Sequence, residues 1–193
     1  MTAPTHIVIG MAASIALSRF NALEITPVYL LCILLGSLAP DIDADGSTIT
    51  RPGKIFKNFL PRGVANFIDQ IVTVISKIIF SIFGHRGPMH WPVIGVALYF
   101  YGLISDNYYV MWFGWGYLWH IIADAFTVRG VPLLGPFSSR FISLGNIRTG
   151  RKSELLVVLP VFFLLILFGW QHLPDNLRYW LIFYKTEILR LFH

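Results

Sequence analysis

The stretch Asp69-Gln70-Ile71-Val72-Thr73-Val74-Ile75-Ser76-Lys77-Ile78-Ile79-Phe80-Ser81-Ile82-Phe83 decides how the rest of this chain is arranged. Asp69, Gln70, Thr73, Ser76, Lys77 and Ser81 recur at helical spacing, while Ile71, Val72, Ile75, Ile78, Ile79 and Ile82 fill the opposite face. That pattern predicts an amphipathic helix lying in a membrane interface more than one crossing the bilayer. A helix that does not cross leaves the next segment on the side where it began.

The surrounding sequence calls for a membrane. Of the 193 residues 55% are hydrophobic, and only 13% are charged, about half the roughly 25% of a soluble chain. The mean hydropathy is +0.65. Apolar runs occupy residues 7–17, 28–38, 91–105, 108–126 and 155–170. Several are shorter than the roughly 20 residues of a perpendicular spanning helix, so the two shortest could be re-entrant. The first run has neither a basic flank nor a small-residue cleavage pattern, and is expected to stay attached. Cys32, the single cysteine, lies inside an apolar run and reads as a packed thiol. No internal repeat or linker divides the chain, so residues 1–193 are expected to form one domain. The expected fold class is all-α, a polytopic membrane helical bundle with an interfacial amphipathic helix.

Polar clusters sit where these runs begin or end: Thr5-His6, Asp41-Ile42-Asp43, His85 to His90, His120 with Asp124, and Gly130-Val131-Pro132. Residues 21–27 turn the first two runs into a hairpin, and residues 105–107 do the same for the next two. With residues 69–83 kept at the interface, every cluster converges on one membrane face. Eleven of the 15 basic residues fall on that side and four on the other, which places it in the cytoplasm by the positive-inside rule. The tail, residues 176–192, is expected along the opposite interface, where His172 and His193 carry no role. Net charge +5 and a pI near 9.5 fit anionic lipid headgroups better than nucleic acid, because the basic residues flank apolar segments.

Ionisable groups at membrane depth are costly and read as functional. His120 and Asp124, four apart on a helix, project from one face; a histidine bonded within its own helix is the plainer alternative. Asp41 and Asp43 follow the helix-ending Pro40 and can face one direction, or belong to a solvated loop. Asp41 to Gly46 matches the first half of a calcium loop, but Pro52 stands where the bidentate glutamate belongs. Arg86 could pair with Asp41 or Asp43, hold an anionic substrate oxygen, or snorkel to a headgroup. The aromatic residues between Tyr108 and Trp119 read as membrane belt and packing surface. No phosphate loop or serine elbow is present. Imidazoles combined with carboxylates are the donors of zinc, manganese or iron sites.

At Thr5-His6, Leu38-Ala39-Pro40-Asp41-Ile42-Asp43, His85-Arg86-Gly87 with His90, Gly116-Tyr117-Leu118-Trp119-His120, Asp124, Thr127 and Gly130-Val131-Pro132-Leu133-Leu134, the chain resembles the bacterial inner-membrane metal-dependent hydrolases of the YdjM-like family, sometimes labelled LexA-binding. The resemblance covers nearly the whole length. It is more distantly similar to zinc-dependent phospholipases C, all-helical enzymes whose histidines and aspartates hold zinc, which implies phosphoester hydrolysis by analogy. One departure stands out: the family reads His-Arg-Gly-x-Thr-His-Ser, and Met89 and Trp91 replace the hydroxyl residues here.

The expected function is therefore a membrane hydrolase using metal-activated water on a lipid or lipid-linked phosphoester. His6, Asp41, Asp43, His85, His90, His120 and Asp124 are the expected ligands of a divalent metal, zinc first, with room for two ions. His6 serves alternatively as general base, and Arg86 holds the anionic group. Membrane lipids are the expected partners. A metal-ion or proton-coupled transporter and a metal-stapled structural protein are the alternatives.

Overall fold

Two antiparallel helical hairpins return the chain twice to the same end of the molecule. The structure, a computed structural model, describes residues 1–21, 24–44, 47, 49–51, 53, 61–84 and 86–169. His85, His172, His193 and the tail at residues 176–192 lie outside the described residues.

Helix α1, Ala3–Asn21, leads away from this end, and α2, Pro27–Leu38, comes back. Thr26 starts α2 by accepting a hydrogen bond from the Tyr29 N–H, with Pro27 pre-set for the first turn. A 3-10 turn, Ala39–Asp43, continues directly from α2, with Pro40 in its first turn. Helix α3 spans Arg62–Phe83, and a 3-10 turn at Pro88–His90 enters the second hairpin. Its arms are α4, Pro92–Ile104, and α5, Tyr108–Ala125, the latter capped by Asn107. Residues 126–151 fold back over the end of α5 through isolated bridges, Thr127 to Ile147 and Val131 to Ile142, before α6, Lys152–Gly169. The described residues are mostly helical and form no strand, in keeping with the all-α expectation.

Helix α5 is the centre of the bundle, packing against α1, α2 and α4. Its approach to α2 is set by two glycines. A Cβ on Gly36 would meet the Phe113 carbonyl oxygen, and one on Gly116 would meet that of Ile33. Small residues that let backbones touch are a common way of joining helices where lipid removes the hydrophobic drive between them. Ile33, Met111 and Trp112 fill the interface, with the half-buried Cys32 packed beside them.

Helix α3 begins seven residues before the periodic stretch, because Gly63 and Asn66 are weak helix formers that conceal its first turns. At 22 residues it is, among the described residues, the one helix long and apolar enough to cross a membrane. The apolar parts of α1, Ala3–Ser18, and of α4 are shorter. Its polar face nevertheless has partners: Asp69 accepts from the Gly53 N–H at 2.6 Å, Thr73 donates to the Thr50 carbonyl at 3.4 Å, and Ser76 is buried. Ile71, Ile75, Ile78 and Ile82 on the other face stay exposed.

The close α2–α5 contact makes a stability prediction. Gly36→Val is expected to lower unfolding stability by about 1–3 kcal/mol through overpacking. Gly63→Ala, on a helix face with open space, should be neutral or stabilising. Thermal unfolding of the detergent-purified variants measures both.

Candidate metal centre

The end of the molecule to which both hairpins return carries His6 from α1, Asp41 and Asp43 from the first 3-10 turn, Arg86 and His90 from the connection after α3, and His120 and Asp124 from α5. Apart from Asp41, whose side chain keeps 18% exposure, all are buried. The chain thus brings together six of the seven residues expected as ligands; His85 is outside the described residues.

The distances are those of one cluster. His6 Nε2 lies 3.4 Å from Asp124 Oδ1, and His120 Nε2 lies 3.6 Å from Asp41 Oδ1. His90 Nε2 is 4.0 Å from Asp41 and 3.9 Å from Asp124. The His6 and His120 rings stack with centroids 3.7 Å apart, and His90 meets His120 edge-on at 5.3 Å. Two overlapping donor groups result, His6 with His120 and Asp124, and Asp41 with His90 and His120. Within each group one donor atom per residue lies within 4.8 Å of the others. Burial pushes the Asp41 carboxyl above its ordinary range, the Asp124 charge adds to this, and His6 and His90 oppose it.

Two contacts orient the rings. His120 Nδ1 is 2.7 Å from the Ser37 carbonyl oxygen; this nitrogen must donate, which leaves Nε2 with the lone pair. His120 therefore reaches across to α2 for its hydrogen bond. On the other side of the cluster, His90 Nδ1 lies 3.3 Å from Asp43 Oδ2. Neither ring nitrogen of His6, nor Nε2 of His120, has a hydrogen bond of sound geometry among the described residues. Orphaned, buried imidazole nitrogens beside carboxylates are the donor types that divalent cations such as zinc, manganese or iron take.

Arg86 is neither at a headgroup nor paired through its side chain with Asp41 or Asp43. It is buried, its guanidinium bonds the Asp124 carboxylate, the Thr127 hydroxyl at 3.3 Å and the Gly130 carbonyl, and its backbone N–H donates to Asp43 at 2.8 Å. These contacts hold it at φ 61°, in the left-handed region that costs a non-glycine residue roughly 1–2 kcal/mol. The Met1 ammonium also pairs with Asp124.

Several residues at this end were not singled out in the sequence. Glu154, buried at the start of α6, accepts hydrogen bonds from the Thr2 backbone and hydroxyl, the Thr5 hydroxyl and the Gly150 N–H. A lone acid ahead of an apolar run was its only signal. The Tyr117 hydroxyl donates to the Met89 carbonyl, anchoring the turn that carries His90. A cleft of about 670 Å³ opens onto the cluster, lined by Asp41, Arg86 and Asp124 and, from the loop after α5, by Thr127, Arg129 and Arg148.

The family model described as YdjM inner membrane protein matches residues 1–185. The chain is 31% identical over 178 residues to the inner membrane protein YdjM of Escherichia coli (strain K12), covering 84% of this chain and 80% of that one. The same figures hold for the inner membrane protein YdjM of Shigella flexneri. It is also 29% identical over 161 residues to the uncharacterized protein YvsG of Bacillus subtilis (strain 168), covering 82% of this chain and 88% of the relative. No solved structure matches.

The buried Arg86–Asp124 pair is expected to be essential to folding. Arg86→Ala leaves the carboxylate without its guanidinium and should cost about 3–5 kcal/mol, with a corresponding fall in the denaturation midpoint. Arg86→Lys, which keeps the charge but not the forked contact to Asp124, Thr127 and Gly130, should lie between the two.

Proposed function

Because the chain belongs to the YdjM inner membrane protein family, we propose that it is a multi-pass inner-membrane protein that holds a divalent metal and hydrolyses a phosphoester of a lipid or lipid-linked substrate. Zinc is the first candidate, with manganese and iron as alternatives. One observation carries this reading: three imidazoles and two carboxylates from four separate segments converge in overlapping donor groups beside an open cleft.

The roles follow from the contacts. His6, Asp41, His90, His120 and Asp124 are the ligand candidates, and His6 is placed to ligate more than to act as a free base, since it is wholly buried against His120. Asp43 is better suited to orient His90 than to ligate, because its carboxylate already faces His90 Nδ1 and the Arg86 N–H. Arg86 balances the charge of Asp124, and both of its terminal nitrogens already bond protein oxygens. A divalent cation held here supplies the charge that activates water and polarises a phosphoryl oxygen. Asp41, the most exposed of the set, is the residue placed to meet water entering from the cleft.

The membrane setting rests on packing and charge. Both the middle of α3, at Asp69 and Thr73, and its C-terminal exit toward Arg86 lie against the site end of the bundle, which favours a helix laid across that end with its isoleucines in the interface. The eleven-to-four distribution of basic residues then puts the site on the cytoplasmic face. Placement at the end of the bundle, rather than at the midplane on broken helices, weighs against transport.

Metal analysis of the purified full-length protein tests the premise. About one divalent ion or more per chain is expected for the wild type, with loss in His120→Ala. Hydrolysis of a phosphodiester or phospholipid panel should accompany it and disappear in the same variant. Wild-type protein free of tightly held metal would falsify the reading, and bound metal without turnover on any phosphoester would reduce it to a structural site.

A further inference from the structure

Arg129 and Arg148 come from positions 19 residues apart in the loop over the end of α5, yet the backbone brings them to one cleft. Thr127 and Ile147 are bridged in parallel: the Val128 N–H donates to the Ile147 carbonyl at 3.1 Å, and the Ile147 N–H donates to the Phe126 carbonyl at 3.1 Å. Arg129 follows one side of that bridge and Arg148 the other. Both line the cleft whose floor is Asp41, Arg86 and Asp124, and both are exposed at its mouth.

Their side chains have no hydrogen-bond or ion-pair partner among the described residues, whereas the guanidinium of Arg86 is committed to Asp124, Thr127 and Gly130. Two guanidinium groups with no partner among the described residues, beside a buried carboxylate–imidazole cluster, are suited to one ligand chemistry. Guanidinium binds phosphoryl oxygens through paired, charge-assisted hydrogen bonds, and its weak hydration lets it do so at a partly dry cleft.

We propose that Arg129 and Arg148 form a phosphoryl-binding subsite at the mouth of the cleft, holding the anionic group of the substrate against the donor cluster. This deepens the hydrolase reading and rests on it for the word substrate. It also moves anion recognition from Arg86, where the sequence alone placed it, to two residues that the sequence offered only as part of the basic excess on that side.

Equilibrium binding to the full-length protein in neutral detergent tests the subsite with two probes, inorganic phosphate and dihexanoyl phosphatidic acid. Arg129→Ala and Arg148→Ala should each weaken binding about tenfold, and the double variant about a hundredfold, while Arg→Lys recovers part of the loss. Metal content and thermal stability should stay at wild-type values. Arg140→Ala, an exposed arginine of the same loop that does not line the cleft, should bind as wild type. Tighter binding of the phosphatidic acid supports a lipid headgroup as the source of the phosphoryl group, and equal binding supports a free one. Wild-type binding in the double variant, or an equal loss in Arg140→Ala, as for an adventitious surface charge, overturns the subsite. Arginine-dependent binding without hydrolysis of any phosphoester removes the hydrolase reading and leaves the subsite. Hydrolysis at substrate below KM that is unchanged in the double variant does the reverse.

Discussion

The carboxylate of Asp124 is the constraint around which the rest of this molecule is organised. It is 1% exposed, and an uncompensated charge at that depth costs several kcal/mol. Its compensation comes from the Arg86 guanidinium beyond the end of α3 and the Met1 ammonium, and His6 on α1 faces it at 3.4 Å. Each partner fixes a segment. The Arg86 contact pins the connection between α3 and α4 and holds its backbone in the left-handed region, and the same guanidinium gathers Thr127 and Gly130 so that the loop after α5 closes over the site. The Arg86 N–H then reaches Asp43, tying in the end of α2. A single buried charge thereby sets the mutual placement of α1, α2, α3 and α5 at one end of the bundle.

The other determinant is apolar and lies along the helices. Gly36 and Gly116 let α2 and α5 touch through their backbones, and the register of that contact carries Ser37 to within hydrogen-bond distance of His120. The packing of the membrane-type interface and the tautomer of a candidate ligand are thus the same structural fact. A bulky residue at Gly36 would act on the site through Ser37 and His120 even though it touches no donor atom. Glu154 performs the matching task for α6, whose first turn is bonded to Thr2 and Thr5 immediately before His6.

Much of this was legible because expensive residues stand out in an apolar chain. His6, Asp41, Asp43, His90, His120 and Asp124 each interrupt or bound a hydrophobic run, and the hairpin pattern sufficed to predict that they meet. Partners were harder to read than positions. Arg86 was expected to pair with Asp41 or Asp43 if with a carboxylate, and nothing in sequence spacing points to Asp124, 38 positions away, instead. Glu154 was passed over because its hydroxyl partners lie about 150 positions earlier in the chain. The first two turns of α3 were hidden by poor helix formers, and its length matters: a helix expected only at the interface is also long enough to cross. The convergence of Arg129 and Arg148 was beyond periodicity altogether, since isolated bridges between loop residues leave no repeat to detect.

The geometry of the donors also bears on whether a metal here would be a staple or a working centre. Structural zinc sites are closed, with four protein ligands and no room for water, whereas catalytic ones keep a position open. His120 offers one lone pair, because Nδ1 is given to Ser37, yet both donor groups depend on it. An ion that takes His120 together with His6 and Asp124 leaves the Asp41 carboxylate on the side of the cleft, and Asp41 is the member of the set that retains exposure. A staple would draw on its donors fully and bury them. A carboxylate facing a cleft rimmed by Arg129 and Arg148 fits an arrangement in which the last positions belong to water, to a second ion or to an anionic ligand.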